Sequence, residues 1–113
     1  EHITTTLLGT KFLELIKNKT VSSDGSATDL GTAPFGSYTL YSLSTETAAA
    51  FSQFGICHNS VTNEVSTIAN IAGENGVLSA SINGGNLQVA TDNSENAAGD
   101  RVYDFVISGI FQA

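Results

Sequence analysis

The sequence predicts an all-β fold in which two antiparallel sheets pack face to face as a jelly-roll-like β-sandwich. Three features of the 113 residues support this prediction. Seven or so short runs are rich in β-favouring residues, turn signals recur at spacings of about 8 to 12 residues, and no segment shows a convincing long helical pattern. No internal repeat or composition break divides the chain, so residues 1–113 are predicted to form one domain.

The first apolar segment, TTTLLGTKFLELIKNK, fits either a helical stripe or the alternation of a strand. Gly9 and the threonine-rich lead favour a strand. Residues 21–36 then collect Asp, Ser, Gly and the single proline without periodicity. We expect a loop or a pair of turns there, with Asp24 and Gly25 closing a tight turn.

The next run, SYTLYSLS, predicts a strand that carries apolar groups on both faces. One face receives Tyr38, Leu40 and Ser42, and the other receives Thr39, Tyr41 and Leu43. Aromatic residues on both sides indicate burial on more than one front. After it, TETAAAFSQFGICHNS predicts a short turn followed by a strand across roughly 50–59.

The segment VSTIANIA does not alternate cleanly, and a bulge near Thr67 would restore its pattern. Residues 60–64 are expected to connect it to the preceding strand. A second turn is expected at 73–76, where the sequence reads Gly-Glu-Asn-Gly.

The stretch VLSASINGGNLQVA predicts a β-hairpin with Gly84 and Gly85 as its two-residue turn. That turn fixes the register, which places Ile82 opposite Leu87. The apolar residues of both strands then share one face, and the serines and amides share the other. A hairpin of this kind needs a second sheet to cover its apolar face.

Residues 91–100 are predicted to form a long acidic loop, and RVYDFVISGIF is predicted to be the closing strand. One face of this strand holds Tyr103, Phe105, Ile107 and Phe111, and the other holds Val102, Val106 and Ile110. Apolar groups on both faces indicate a strand that is central in its sheet or lies against a second subunit.

Charge and composition exclude several classes of partner. The 11 acidic residues outnumber the 4 basic ones, and a formal charge of −7 opposes binding to nucleic acid or anionic lipid. The longest apolar runs are four or five residues, so no segment can insert into and span a bilayer. The single cysteine excludes a disulfide within the chain.

The residues that could carry chemistry do not assemble into a recognisable site. Cys57 and His58 are adjacent on a strand and point to opposite faces, so they are expected to be a buried thiol beside an exposed imidazole and not a catalytic dyad. Only two histidines are present, far apart, so no structural zinc set is expected. We therefore predict no enzyme activity, no cofactor and no metal site.

Two further patterns bear on function. Asp92, Ser94, Asn96 and Asp100 have a loose calcium-loop spacing, but Ala97 stands where the turning glycine is needed, and a solvated acidic loop is the better interpretation. Paired carboxylates for glycoside hydrolysis depend on spatial separation, and the chain has no Trp to form a sugar platform.

From residue 35 onward the chain resembles the C-terminal β-sandwich domains of bacteriophage fibres and related virion-surface proteins. The resemblance is carried by PFGSYTLYSLS, AFSQFGICHN, EVSTIANIA, VLSASINGGNLQVATDNSE and RVYDFVISGIF. It implies a structural or receptor-binding module, usually a homotrimer, located on the virion surface or outside the cell. Its expected partners are further copies of the chain, other virion proteins or a host-surface receptor.

On a rigid sandwich, the loops are where binding specificity varies at little cost to the core. The candidate recognition loops are 44–48, 59–64, 73–76 and 91–99. Their candidate binding residues are Thr45, Glu46, Asn59, Asn63, Glu74, Asn75, Asn93 and Glu95.

Two other functions remain as alternatives. In the first, the chain is a subunit of an extracellular filament or pilus, and residues 1–20 leave their own sandwich to add a strand to the next subunit. In the second, it is a hydrolase or a sugar-binding lectin, which needs a site that the sequence does not display.

Overall fold

The computed structural model describes residues 6–7, 9–46, 49–73, 76–91 and 100–112. Within these ranges the chain forms antiparallel strands and no helix. The strands are β1 (Thr6–Leu7), β2 (Thr10–Val21), β3 (Thr28–Thr32), β4 (Gly36–Leu43), β5 (Phe51–His58), β6 (Asn63–Ile71), β7 (Leu78–Asn83), β8 (Asn86–Thr91) and β9 (Arg101–Gln112).

The strands form two sheets that pack against each other, as the sequence predicts. The large sheet has the order β1-β2-β9-β4-β5-β6, and the small sheet has the order β3-β8-β7. The division into six strands and three differs from the two equal sheets of an eight-stranded jelly roll. The β-sandwich is therefore confirmed, and the jelly-roll connectivity is not.

The hydrophobic core lies between the two sheets and follows the alternation of their strands. Its largest fully buried side chains come from both sheets, and they are Phe54, Phe105, Phe111, Leu40, Ile56, Leu78, Leu87, Ile107, Val21 and Val89. Full burial of each such side chain contributes about 1.5–3 kcal/mol, so this shared core accounts for why the sheets stay together.

Strand β9 lies at the centre of the large sheet, between β2 and β4. The predicted face of Tyr103, Phe105, Ile107 and Phe111 is buried throughout. The strand is long enough to pair with both neighbours over most of its length. The prediction of a central closing strand is confirmed.

The β7–β8 hairpin also has the predicted register, with Ile82 opposite Leu87 and Asn83 opposite Asn86. Gly84 and Gly85 adopt φ values of 59° and 82°, which are the left-handed values a type I′ turn requires. Leu87 is buried and Ile82 packs against the core, so the apolar face of the hairpin covers the large sheet as expected.

The first apolar segment, which fits either a helix or a strand in the sequence, is a strand. It pairs within the large sheet of its own chain. Residues of β2 pair with β9 from Thr10 to Val21, with register shifts after Lys11 and after Ile16. At the second shift Asn18 has a left-handed φ of 57°, and its backbone N–H donates to the Asp104 carboxylate at 2.9 Å. The aspartate thus supplies the acceptor that the bulge removes from the ladder.

The expectation that residues 21–36 form only a loop or turns was wrong in part. The tight turn at Asp24 and Gly25 is present, but β3 follows it and pairs with β8. Leu30 is buried, and the Asp29 carboxylate accepts the N–H of Gly31 at 2.7 Å across an irregularity in the register. Leu30 is the single large apolar residue of β3, so this edge strand shows no alternation of apolar residues from which it could have been predicted.

The bulge expected near Thr67 is present in β6. Gln53 pairs with Ala69 while Phe54 pairs with Thr67, so Ile68 is the extra residue. The strand begins at Asn63, slightly earlier than the sequence indicated. This bulge turns Ile68 over Gly55, where its Cδ1 lies 3.4 Å from the position a Cβ would occupy.

Candidate interaction surface

The outer face of the large sheet, which points away from the small sheet, carries the chain's main group of exposed apolar side chains. Outward-facing positions follow from the register: Leu15, Val106, Tyr41, Gln53 and Ala69 lie side by side across five strands. In the neighbouring row Leu43 pairs with Asp104, and Phe51 pairs with Ile71. We call Leu15, Tyr41, Leu43, Phe51, Ile71 and Val106 the apolar patch.

The apolar patch is uncovered within the part of the chain that the structure describes. Leu43 is 52% exposed and Ile71 is 65% exposed. Tyr41 and Leu43 were expected to be buried on a second front, and in the single chain that expectation was wrong because the small sheet covers only the opposite face. Contiguous exposed apolar groups of this kind mark interaction surfaces.

The other half of the outer face is mixed, because the exposed side chains of Leu13, Ile68 and Ile110 lie there among hydroxyl groups. A shallow depression of about 340 Å³ is bordered by Ser37, Thr39, Ser66, Ser108 and other residues. Its floor includes Gly55, which has no side chain to fill it. The outer face therefore has an apolar end beside the β4–β5 loop and a mixed apolar and hydroxyl-bearing end beside the β5–β6 loop.

The structure places the candidate recognition loops at two opposite ends of the sandwich. The β4–β5 loop, the β6–β7 loop and the β8–β9 loop begin and end at one end, where Leu43 pairs with Asp104 and Phe51 with Ile71. The β5–β6 loop closes the opposite end. Of the candidate residues, Glu74, Asn75, Asn93 and Glu95 lie outside the described residues, as do most of the acidic-loop positions.

Thr45 and Asn63 are exposed, and both remain available to a partner. Glu46 instead has a structural contact: its carboxylate accepts the backbone N–H of Val102. Nearby, the Ser44 hydroxyl donates to the Val102 carbonyl at 2.7 Å. These two side chains continue the pairing of β4 with β9 beyond the end of the ladder, so they fix the loop that carries Thr45.

Asn59 also has a structural contact. Its side-chain oxygen accepts the backbone N–H groups of Val61 and Thr62, each at 2.8 Å. The backbone N–H of Asn59 donates to the Thr62 carbonyl at 2.9 Å. The amide therefore holds the β5–β6 loop in one conformation, and the tip of that loop presents Val61, which is 87% exposed.

The prediction for Cys57 and His58 was right about their opposite directions and wrong about which is buried. Cys57 is exposed, whereas His58 is buried. The His58 ring lies with Nδ1 3.1 Å from the Thr62 carbonyl, and its centroid is 4.9 Å from that of Phe35. The phase of β5, set by Phe54 and Ile56 in the core, turns the histidine inward and the thiol outward.

Two acidic side chains in the described loops, Asp24 and Asp100, accept hydrogen bonds from neighbouring loop residues. The Ser22 hydroxyl donates to Asp24 at 2.7 Å and the Ser26 N–H at 2.8 Å, and these bonds lower the Asp24 pKa to about 2. Asp100 accepts the Ser23 N–H at 2.9 Å. Among the described residues no three His, Cys, Asp or Glu side chains are grouped closely enough to hold a metal ion.

Residues 10–21 are already paired within their own sheet, which bears on the filament hypothesis. That hypothesis needs this segment free to enter a neighbour, but β2 is hydrogen-bonded to β9 along its length. Val21 is fully buried in the core of its own chain. Donation of these residues would require the large sheet to open.

The sequence alone did not identify the apolar patch as a surface. Each of its strands displays apolar groups on both faces, and this pattern could equally have meant burial in the core. Only the pairing order brings Leu15, Tyr41 and Phe51 onto one side.

Within the described residues, no helix has the length and hydropathy needed to cross a bilayer.

Comparison with known proteins finds a similar fold among solved structures and no matching sequence family. No protein-family model matches the chain, and no curated protein sequence matches it. The structure is similar to that of the tailspike protein gp49 from Acinetobacter baumannii bacteriophage Fri1, a capsular polysaccharide depolymerase. The TM-score is 0.56 and the identity 14%, over 93% of this chain and 20% of that chain.

A second tailspike protein, from Acinetobacter phage vB_ApiP_P1, aligns with a TM-score of 0.49 and 17% identity, over 100% of this chain and 23% of that chain. The chain thus spans about a fifth of the length of the tailspike chains it matches. At this identity the likeness to the Fri1 protein concerns the fold. The chain is an antiparallel β-sandwich with the same overall arrangement as one segment of that tailspike.

Proposed function

We propose that this chain is a structural module of a bacteriophage virion-surface protein, which acts in attachment or decoration and has no catalytic role. In this proposal it assembles as a homotrimer through the apolar patch and presents its loops to the outside. The module is either a fibre tip that contacts a host receptor or a decoration protein on a capsid.

The apolar patch is the observation that carries the proposal. It gathers six large apolar side chains on the uncovered face of a six-stranded sheet. Covering such a surface stabilises an assembly by about 25 cal/mol for each Å² of apolar area removed from water. A closed ring of identical chains covers it without leaving an open end.

The bacteriophage assignment is supported by three features. The fold is similar to a segment of a phage tailspike protein, and the sequence from residue 35 onward resembles phage fibre domains. Only 13% of the residues are charged, while Ser, Thr, Asn and Gly are abundant. Such neutral polar surfaces are common on extracellular and virion-surface β-proteins.

The non-enzymatic part of the proposal is supported by how the polar side chains are used. Glu46, Asp24 and Asp104 each accept backbone N–H groups that a loop or bulge leaves without a partner. A general acid or base needs a proton-transferring group that faces a substrate. The Fri1 tailspike depolymerises capsular polysaccharide, but its matching segment is a fifth of that chain, and we assign this module to scaffolding and not to cleavage.

Mass measurement in solution tests the assembly. We expect the unaltered chain to form closed trimers, and we expect the double variant Leu15→Glu, Leu43→Glu to be a folded monomer, because both side chains are more than half exposed in the single chain. Val61→Glu is the matched control, since Val61 is exposed but lies on a loop away from the patch. A wild-type chain that stays monomeric at high concentration would refute the trimer.

The catalytic assignment has its own test. The trimer is incubated with purified capsular polysaccharides, and new reducing ends are measured. We expect none above the blank, while binding to polysaccharide or to host cells remains compatible with the proposal. Release of reducing ends that is lost on mutation of a single carboxylate would overturn it.

A further inference from the structure

We propose that the open edge of β6, over residues 63–67, accepts an extended and positively charged strand from a different protein. This edge contact is separate from the apolar patch and does not depend on the trimer. The two edges of the large sheet are built differently.

The β2 edge of the large sheet is protected against strand addition. It carries all three lysines of the chain, Lys11, Lys17 and Lys19. Two register shifts and the left-handed Asn18 distort its backbone. Short β1 covers the start of the strand. Lysines, bulges and coverage are the means by which natural sheets prevent edge-to-edge pairing.

The β6 edge has almost none of this protection. It is the last strand of the large sheet, and its residues 63–67 contain no lysine, no proline and no bulge. The bulge in β6 comes only afterwards, at Ile68. Ser66 and Thr67 are exposed. Residues 63–67 therefore form a regular strand that has hydrogen-bonding capacity on its free side.

The hydrogen-bonding phase identifies which backbone groups point outward. Asn59 N–H donates to the Thr62 carbonyl, so the alternation of antiparallel pairs makes Cys57–Glu64 and Gly55–Ser66 the hydrogen-bonded pairs. A second hydrogen bond gives the same phase. Gln112 N–H donates to the Phe35 carbonyl, so Phe35 and Gln112 are a hydrogen-bonded pair at the end of the β4–β9 ladder. The alternation of pairs across β4 and β5 then again directs the backbone groups of Gly55 and Cys57 towards β6. The backbone groups of Asn63, Val65 and Thr67 thus face away from β5.

The charge of this edge identifies the kind of strand it fits. Glu64 is the only charged residue in 63–67, and it is exposed. The whole chain has a formal charge of −7. Cross-strand pairs of opposite charge are favourable and like charges are not, so a second copy of this acidic chain fits this edge less well than a strand bearing Lys or Arg. Strand addition gives affinity through backbone bonds and specificity through alternate side chains.

Amide hydrogen exchange on the full chain tests this proposal. The probe is a nine-residue peptide of alternating threonine and valine with lysine at two threonine positions. We expect it to slow exchange at Val65 and Thr67 by about tenfold when its concentration is ten times its Kd. Exchange at Glu64 and Ser66, already bonded to β5, should change little.

Two contrasts make the result specific. Thr67→Pro removes one outward N–H and should abolish the protection, whereas Thr67→Val keeps the N–H and should preserve it. A peptide with glutamate in place of lysine should bind at least several-fold more weakly to the unaltered chain, and Glu64→Lys should reverse that preference.

Three outcomes would overturn the proposal. The first is no slowing at Val65 and Thr67, and the second is equal binding of the lysine and glutamate peptides. The third is protection of these amides that rises with protein concentration in the absence of peptide, because a second copy would then occupy the edge. If Thr67→Pro fails to fold, the contrast between the two peptides still decides the question.

Discussion

Tyr38 lies directly opposite Gly109 across the β4–β9 pair, and a Cβ on Gly109 would come within 2.5 Å of the Tyr38 Cα. Two residues along, Phe111 lies opposite Gly36 in the same way. The Tyr38 and Phe111 rings then pack edge to face with their centroids 5.4 Å apart. Each aromatic residue sits across from a glycine, so the two strands approach closely at the centre of the large sheet.

Gly109→Ala is expected to destabilise the fold by about 2–4 kcal/mol, because the new methyl group would meet the Ser37 carbonyl oxygen and the Tyr38 Cα at 2.5 Å. Urea unfolding measures this change. Gly55→Ala is the matched control: its Cβ would meet only movable side chains at 3.4 Å, and it should change stability by less than about 1 kcal/mol. Equal effects of the two substitutions would show that the close approach at Gly109 is not real.

Asn18 tests the bulge in β2. Asn18→Gly should leave stability unchanged or raise it slightly, whereas Asn18→Val should lower it by about 1–2 kcal/mol, because a β-branched residue is strained at a φ of 57°. Thermal unfolding of both variants measures the difference. If valine were tolerated as well as glycine, β2 would have to pair with β9 without this bulge.

Asn59 was a candidate binding residue, and its contacts predict a structural effect. Asn59→Ala should lower the free energy of unfolding by about 0.5–2 kcal/mol, because the N–H groups of Val61 and Thr62 lose their acceptor. Asn59→Asp keeps an acceptor oxygen and should recover most of the loss. Chemical denaturation of the three proteins gives the comparison, and an alanine variant as stable as the unaltered chain would return Asn59 to the list of free binding residues.

Tyr38 predicts a loss of stability at high pH. Burial raises the pKa of Tyr38 to about 12, with a smaller contribution from the Glu14 charge, while its hydroxyl donates to the Pro34 carbonyl at 2.9 Å. Because the unfolded chain loses this proton near pH 10, stability should hold below pH 10 and fall between pH 10 and 12. The slope has an upper limit of about 1.4 kcal/mol per pH unit, reduced by solvent screening.

Tyr38→Phe is the control for this pH dependence. It should make the decline between pH 10 and 12 shallower without removing it, since burial also raises the pKa of Tyr103. Urea unfolding of both proteins at about pH 8, 10 and 11.5 measures the two slopes. An unchanged slope in the variant would mean that Tyr38 does not control the decline.

Local pattern was enough to predict most of the fold. The Gly84–Gly85 turn set the hairpin register, because a two-residue turn leaves only one pairing for the strands beside it. The alternation in β9 predicted its buried face, and the broken alternation in β6 predicted a bulge. In each case the information lies in neighbouring residues, where the period of two is visible.

Tertiary structure decided what local pattern could not. β3 is held by one buried residue, Leu30, and by the Asp29 carboxylate, and neither creates a period. The phase of Cys57 and His58 depends on which face of β5 meets the small sheet. The candidate recognition loops were predicted because they connect strands of a rigid sandwich, but their separation onto two ends follows from strand order.

The sequence by itself determined that this chain is an antiparallel sandwich, because alternation and turn chemistry are properties of adjacent residues. Only the tertiary structure decided that the six side chains of the apolar patch lie together on an uncovered face, and that β6 has an open edge while β2 has a protected one. Both depend on which strands become neighbours and which become edges, and that choice is made by contacts between residues far apart in the chain.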